Sequence, residues 1–206
     1  MGTFKDLVTA TPLMERTALV AVDGVDGSGK TTFAERLAEA YAAEGRSAHI
    51  VHEDDFLNPR AVRYRLGRNS PEGFFLHTYQ LPALREKVLD PVHRGSRIIT
   101  AQHFDHTTDS PVQTDPIAIE SGEVVILEGM FLHQDELVEY WDFSIFLDVP
   151  FAVSVGRMAQ RDGTSPDPDD ASNHRYVEGQ RIYLSHCRPR DRATVVINHS
   201  GTWPDP

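Results

Sequence analysis

The chain has one cysteine, Cys187, in 206 residues. A single thiol closes no intrachain disulfide and offers no thiolate set to a structural metal, so a reducing compartment fits. Positive charge is scarce as well. Lys and Arg number 20 against 31 Asp and Glu, a formal net charge of −11. That balance argues against nucleic acid or an anionic membrane as a partner for the whole surface, while local Lys and Arg still suit a phosphorylated small molecule. Long apolar runs are missing: no stretch could span a bilayer, and Phe4, Leu7, Val8 and Leu13 alternate with polar residues near the start. Residues 1–16 therefore read as an amphipathic lead-in helix rather than a secretory signal, and the expected location is cytoplasmic. Internal repeats and low-complexity tracts are lacking too. With 40% hydrophobic and 25% charged residues, the chain is long enough for one globular domain, residues 1–206, around a substantial core.

Against these absences stands one dense motif. The apolar run Ala18 to Val22 leads into Gly24-Val25-Asp26-Gly27-Ser28-Gly29-Lys30-Thr31-Thr32, and a helical pattern with Phe33, Leu37 and Tyr41 on one face follows. This is a Walker A phosphate-binding loop in its strand–loop–helix setting. Its glycines let successive amides turn inward on a phosphate with a helix N-terminus behind them. Lys30 is positioned by the pattern to reach the β- and γ-phosphates, and the Thr31 hydroxyl to ligate Mg²⁺. The implied ligand is a nucleoside triphosphate.

Ser47 to His52 reads as a second strand, which makes a βαβ unit and implies a parallel sheet flanked by helices. The acidic Glu53-Asp54-Asp55-Phe56 follows it directly, where ligands of open α/β sheets bind. Taken alone, that stretch reads first as a solvated acidic loop. The arginine-dense segment from Arg60 to Asn69 reads as a soluble helical face. Leu81, Leu84, Val88 and Leu89 form another helical stripe that ends near Pro91 and Gly95. Arg97 to Thr100 and Ile117 to Ile119 are strand-like, with Gln102 to Asp109 as a strand-end loop between them. Two histidines and two aspartates fall in that loop, but without a helical metal spacing. Val124 to Leu127, closed by Glu128-Gly129, has the Walker B form, with Glu128 as a second Mg²⁺ partner. Phe143 to Val149 is a further buried strand, and Pro150 starts a helix with Arg157 and Arg161. The Pro- and Asp-rich segment at 162–174 is expected to be a mobile lid, with Arg157, Arg161, Arg175 and Arg181 flanking it. A last strand spans Ala193 to Asn198, and 199–206 reads as a loose tail.

The order of these motifs resembles the uridine kinase, phosphoribulokinase and pantothenate kinase group of P-loop kinases, and uridine kinase-like proteins most closely. The resemblance runs from about Ala18 to Asn198 and implies the three-layer α/β P-loop fold. It further implies transfer of the γ-phosphoryl of ATP, with Mg²⁺, to a hydroxyl of a small molecule. Asp54 matches the aspartate that accepts the hydroxyl proton, and Arg161, with Arg157 one turn earlier, matches a lid arginine at the transferring phosphate. Phe104-Asp105-His106 resembles the segment that lines the nucleoside pocket. Asp55, Phe56, Tyr79 and Arg175 complete the expected substrate contacts. Phe104 stands where the family usually has Tyr, and the lid is acidic rather than arginine-rich. A nucleoside such as uridine or cytidine is the first expected acceptor. Other metabolite kinases, a nucleoside-monophosphate kinase and a non-catalytic nucleotide-binding module are the alternatives, and association with further copies of the chain is left open.

Overall fold

In the computed structural model, residues 3–198 and 201 are described. Five parallel strands form the central sheet: β1 (Ala18–Gly24), β2 (Ala48–His52), β7 (Val124–Gly129), β8 (Phe143–Asp148) and β9 (Val195–Asn198), in the order β2-β7-β1-β8-β9. β1 and β7 are apolar throughout most of their length because helices cover both faces of the sheet. Val20 and Val22 point to one side, where they meet Phe33, Leu37 and Tyr41 of α2 (Lys30–Ala43) and Leu7 of α1 (Phe4–Ala10). Leu19 and Ala21 point to the other, against Leu84, Val88 and Val92. Each large side chain buried this way is worth about 1.5–3 kcal/mol. The expected three-layer α/β architecture is thus present.

The lead-in helix is shorter than its expected span. Thr3 caps α1 reciprocally with Asp6, and the chain turns extended at Thr11, whose hydroxyl meets Tyr41 Oη at 2.5 Å. The first two residues of the chain and the tail at 199–206, apart from Gly201, lie outside the described residues.

After β2 come a 3₁₀ turn (Glu53–Phe56), α3 (Arg60–Arg63) and α4 (Pro71–His77). The predicted stripe from Leu81 forms one continuous helix: α5 (Leu81–Leu84), a π turn (Arg85–Leu89) and α6 (Asp90–His93). The wide turn has a local cause. Pro91 has no amide to offer the Lys87 carbonyl, which instead accepts from Thr100 N at 3.1 Å. The two strand-like runs beyond it do not join the central sheet. β3 (Ile98–Ile99) pairs antiparallel with β6 (Ile117–Ala118), and β4 (Phe104–Asp105) with β5 (Ser110–Pro111).

Past the sheet, α7 (Phe151–Asp162) ends at Gly163, in the left-handed conformation at φ 71°. The acidic segment that follows is closed by Asn173, whose amide donates to Ser165 O at 2.9 Å and Asp167 O at 2.8 Å. α8 (His174–Cys187) then packs on α4, and the short α9 (Pro189–Arg192) leads to β9. Gly179 makes that approach feasible, since a Cβ there would sit 2.8 Å from the Phe74 ring. Phe74, Tyr79, Phe104, Phe131 and Tyr183 meet in an aromatic cluster between these helices and the sheet.

Candidate active site

The carboxyl ends of β1, β2 and β7 and the N-terminus of α2 surround a cavity of about 480 Å³. Parallel pairing sets this geometry, because it aligns Val22, His52 and Glu128 across adjacent strands and brings their following loops to one edge. The phosphate loop forms one wall through Asp26, Gly27, Gly29, Lys30, Thr31 and Thr32. Gly27 is obligatory, with φ 73° and the Ser154 carbonyl of α7 standing where a Cβ would lie. Ser28 N donates to Val25 O at 3.0 Å to tighten the turn, and the Lys30 ammonium folds back on that same carbonyl at 3.1 Å. Gly24, Val25 and Ser28 shape the loop from behind and do not reach the cavity wall.

Thr31 Oγ1 donates to Glu128 Oε1 across 3.1 Å, and His52 Nδ1 lies 2.7 Å from the same oxygen. Burial pushes the Glu128 carboxyl upward, but the His52 hydrogen bond and the Lys30 charge outweigh it and hold the group below its ordinary value. His52 is raised in turn, first by its bond to Glu128. A hydroxyl and an ionised carboxylate are hard oxygen donors, so this pair fits a divalent cation such as Mg²⁺.

Asp54 stands exposed at the same cavity, and Tyr79 donates to its Oδ1 at 3.0 Å. Burial, then the Asp54 charge, pushes the Tyr79 phenol well up, so it stays a donor. Arg157 and Arg161 line the wall from α7. Arg157 reaches the carbonyls of Gly27 and Ser28 at 3.5 and 3.4 Å. Arg161 is held bidentate by Asp162, with Asp26 at 3.9 Å.

The other expected substrate contacts are not brought to this cavity. Phe56 and Phe104 are fully buried in the core, Phe56 among aliphatic side chains and Phe104 in the aromatic cluster, so packing rather than ligand contact occupies their rings. Asp55 accepts from Gln102 at 3.0 Å, and its carboxyl is raised by burial. Asp105 holds its own turn by accepting from Thr107 N and Thr108 Oγ1, each at 2.8 Å, and the neighbouring His106 is exposed. Arg175 is only 5% exposed and donates to the carbonyls of Arg63, Ser70 and Gly67. Its position after the acidic segment pointed to a lid, but α8 turns it inward against α4.

Conversely, Arg63 belongs to a stretch whose arginines read as a solvated face, yet it lines the cavity together with Leu57, Phe74, Thr78 and Met130. In sequence it lies nine residues after Asp54, at the end of α3, but nothing in its neighbours marks it as facing inward. Behind the loop, buried Asp23 accepts from Gly24 N and Tyr183 Oη, with His133 Nδ1 at 2.6 Å. Gln180 of the same α8 accepts from Asp26 N at 2.5 Å. Glu53 is buried beneath Gly129, with only the Met130 backbone amide, among the described residues, facing its carboxyl.

The sheet order and the glycine cradle define a P-loop nucleotide-binding protein. Residues 19–167 match the phosphoribulokinase / uridine kinase family. The chain is 30% identical over 200 residues to a uridine kinase of Deinococcus deserti, covering 90% of this chain and 89% of that one. It is 30% identical over 146 residues to a pantothenate kinase of Serratia proteamaculans, covering 63% of this chain but 45% of the relative. Among solved structures, a possible uridine kinase from Bacillus stearothermophilus superposes with a TM-score of 0.74 at 24% identity, covering 94% of each chain. The chain belongs to the phosphoribulokinase / uridine kinase family, a family of kinases. Among the described residues, no helix is long and apolar enough to cross a membrane.

Proposed function

We propose that the protein is an ATP- and Mg²⁺-dependent kinase that phosphorylates a hydroxyl of a small molecule. The observation that carries this reading is that Asp54, Lys30 and the Thr31–Glu128 pair all face one cavity. When bound, MgATP supplies the phosphoryl group and a leaving diphosphate. The protein's part is positioning and electrostatics. Asp54 takes the proton of the acceptor hydroxyl as that oxygen bonds to the transferred phosphorus and the bond to the leaving diphosphate breaks. Lys30 leaves the Val25 carbonyl for the phosphate oxygens, with the loop amides behind it. Thr31 and Glu128 hold the cation. Arg157 and Arg161 meet the developing charge, Arg161 after release from Asp162, and the 162–174 segment moves with them as a lid.

Uridine and cytidine head the panel to be tested, because the Deinococcus relative with 90% coverage of the chain is named a uridine kinase; anionic hydroxy compounds stand beside them, because pantothenate kinases are among the relatives. The test is incubation with MgATP and a panel of nucleosides, polyols and hydroxy acids, with detection of product by mass spectrometry. A phosphorylated acceptor supports the reading. ATP binding with no product from any acceptor favours a non-catalytic nucleotide-binding module.

A further inference from the structure

We propose that the acceptor carries an anionic group, a carboxylate or phosphate on the same carbon skeleton as the reacting hydroxyl, and that Arg63 receives it. This rests on the reading of Asp54 as the base, since it places the acceptor beside Asp54 and Tyr79.

Among the described residues, four cations line the cavity. Lys30 belongs to the phosphate loop, and Arg157 and Arg161 belong to α7. Arg63 comes from α3, nine residues after Asp54, and shares its wall with Leu57, Phe74, Thr78 and Tyr79. Its side chain is only 15% exposed, so its charge is largely taken out of water. A charge so placed needs a partner.

The partners present are insufficient. Arg63 Nη2 approaches Asp109 Oδ1 at 3.5 Å, well beyond the usual 2.7–2.9 Å of a charge-assisted bond. That carboxylate already accepts from the Arg60 amide, at 3.0 Å to Oδ1 and 3.3 Å to Oδ2. Among the described residues, Arg63 Nε is buried with no hydrogen-bond partner. Other cations crowd the same spot. The Tyr64 ring has Arg63 at 5.6 Å, Arg68 at 5.2 Å and Arg175 at 4.9 Å from its centroid. Burial first, and the Arg63 charge among the remaining causes, holds Arg175 below its ordinary value. In a chain of net charge −11, this is a local surplus of positive charge at a cavity wall. The neighbouring Leu57, Phe74 and Met130 are apolar and suit the carbon skeleton between the two polar ends of such an acceptor.

The experiment pairs acceptors that differ only in the anion. D-glycerate is set against glycerol, D-gluconate against sorbitol and ribose 5-phosphate against ribose, with uridine as the neutral nucleoside. Binding is measured by calorimetry on the full chain loaded with Mg²⁺ and a non-hydrolysable ATP analogue, which fills the phosphate cradle, and turnover is measured with MgATP. At least one anionic compound is expected to bind at least about tenfold tighter than its neutral twin. Arg63→Gln should weaken that compound about 10- to 100-fold, the scale of one charge-assisted contact, while changing neutral compounds less than about twofold. Arg63→Lys, which keeps the charge without the fork, should fall between, and it carries the test if the Gln variant melts early. The carboxylate and phosphate arms identify which anion is preferred.

The proposal is overturned if no anionic compound outbinds its twin, if uridine binds as well as any of them, or if Arg63→Gln weakens both classes equally. The kinase reading fails separately: Arg63-dependent anion binding with no phosphorylated product in any arm would leave the anion site standing and remove the reaction.

Discussion

Tyr79 donates its phenolic hydrogen to Oδ1 of Asp54 across 3.0 Å, from a buried ring to an exposed carboxylate. The bond joins the loop after β2 to the isolated bridge between Leu57 and Tyr79, so it fixes the direction in which Asp54 faces the cavity. Removing the hydroxyl in Tyr79→Phe keeps the ring in its aromatic cluster. It should lower kcat about tenfold and leave the KM for ATP unchanged, because only the orientation of the base is lost. Steady-state kinetics decide this, and an unchanged kcat would show that Asp54 needs no such support.

Glu128 offers one oxygen to both Thr31 and His52. If that oxygen also holds the cation, Glu128→Gln should raise the Mg²⁺ concentration for half-maximal activity at least about tenfold, as loss of a charged ligand does. A magnesium titration at fixed ATP measures it. An identical titration curve would mean that the cation is held elsewhere.

Arg175 spends its guanidinium on three main-chain carbonyls, with Ser70 O and Arg63 O each at 3.0 Å. Arg175→Met leaves those carbonyls without a donor and should lower stability by about 2–4 kcal/mol in urea denaturation. A loss below about 0.5 kcal/mol, the range of an ordinary surface substitution, would contradict the inward placement.

Glu53 is fully buried, and its carboxyl is raised well above the ordinary 4.5, first by burial and then by the charges of Asp54 and Asp23. The folded state therefore binds this proton more tightly than the unfolded state. The associated stability is complete below about pH 4.5 and declines as pH rises towards the folded value. Glu53→Gln carries no proton to lose, so it should match the wild type near about pH 4 and exceed its melting temperature at about pH 8. A stability difference that shrinks with rising pH would reverse the sign and contradict this origin.

Much of the donor side was legible in the sequence because it depends on local chemistry. Gly27, Gly29, Lys30 and Thr31 form a continuous segment whose backbone needs are written in its glycines, and Glu128 closes an apolar strand. The central strands were legible for a related reason, since burial on both faces leaves an apolar run. The wall around Asp54 was not legible in the same way. Arg63 and Arg175 are both arginines in polar surroundings, and which of them faces the cavity depends on how α8 packs over α4. Phe104 looks the same in sequence whether its ring stacks on a ligand or fills a core. The strand-like Ile98–Ile99 carried no mark that its partner would be Ile117–Ala118 rather than the central sheet.

The most direct measurement is Asp54→Asn, once an acceptor has been identified by its product. This near-isosteric change removes the base while retaining the loop, the Thr31–Glu128 pair and the arginines. It should lower kcat about 10²- to 10⁴-fold, with ATP affinity by calorimetry unchanged within about twofold. Turnover by the Asp54→Asn variant within about threefold of wild type would contradict the assignment of Asp54 as the group that takes the acceptor's proton.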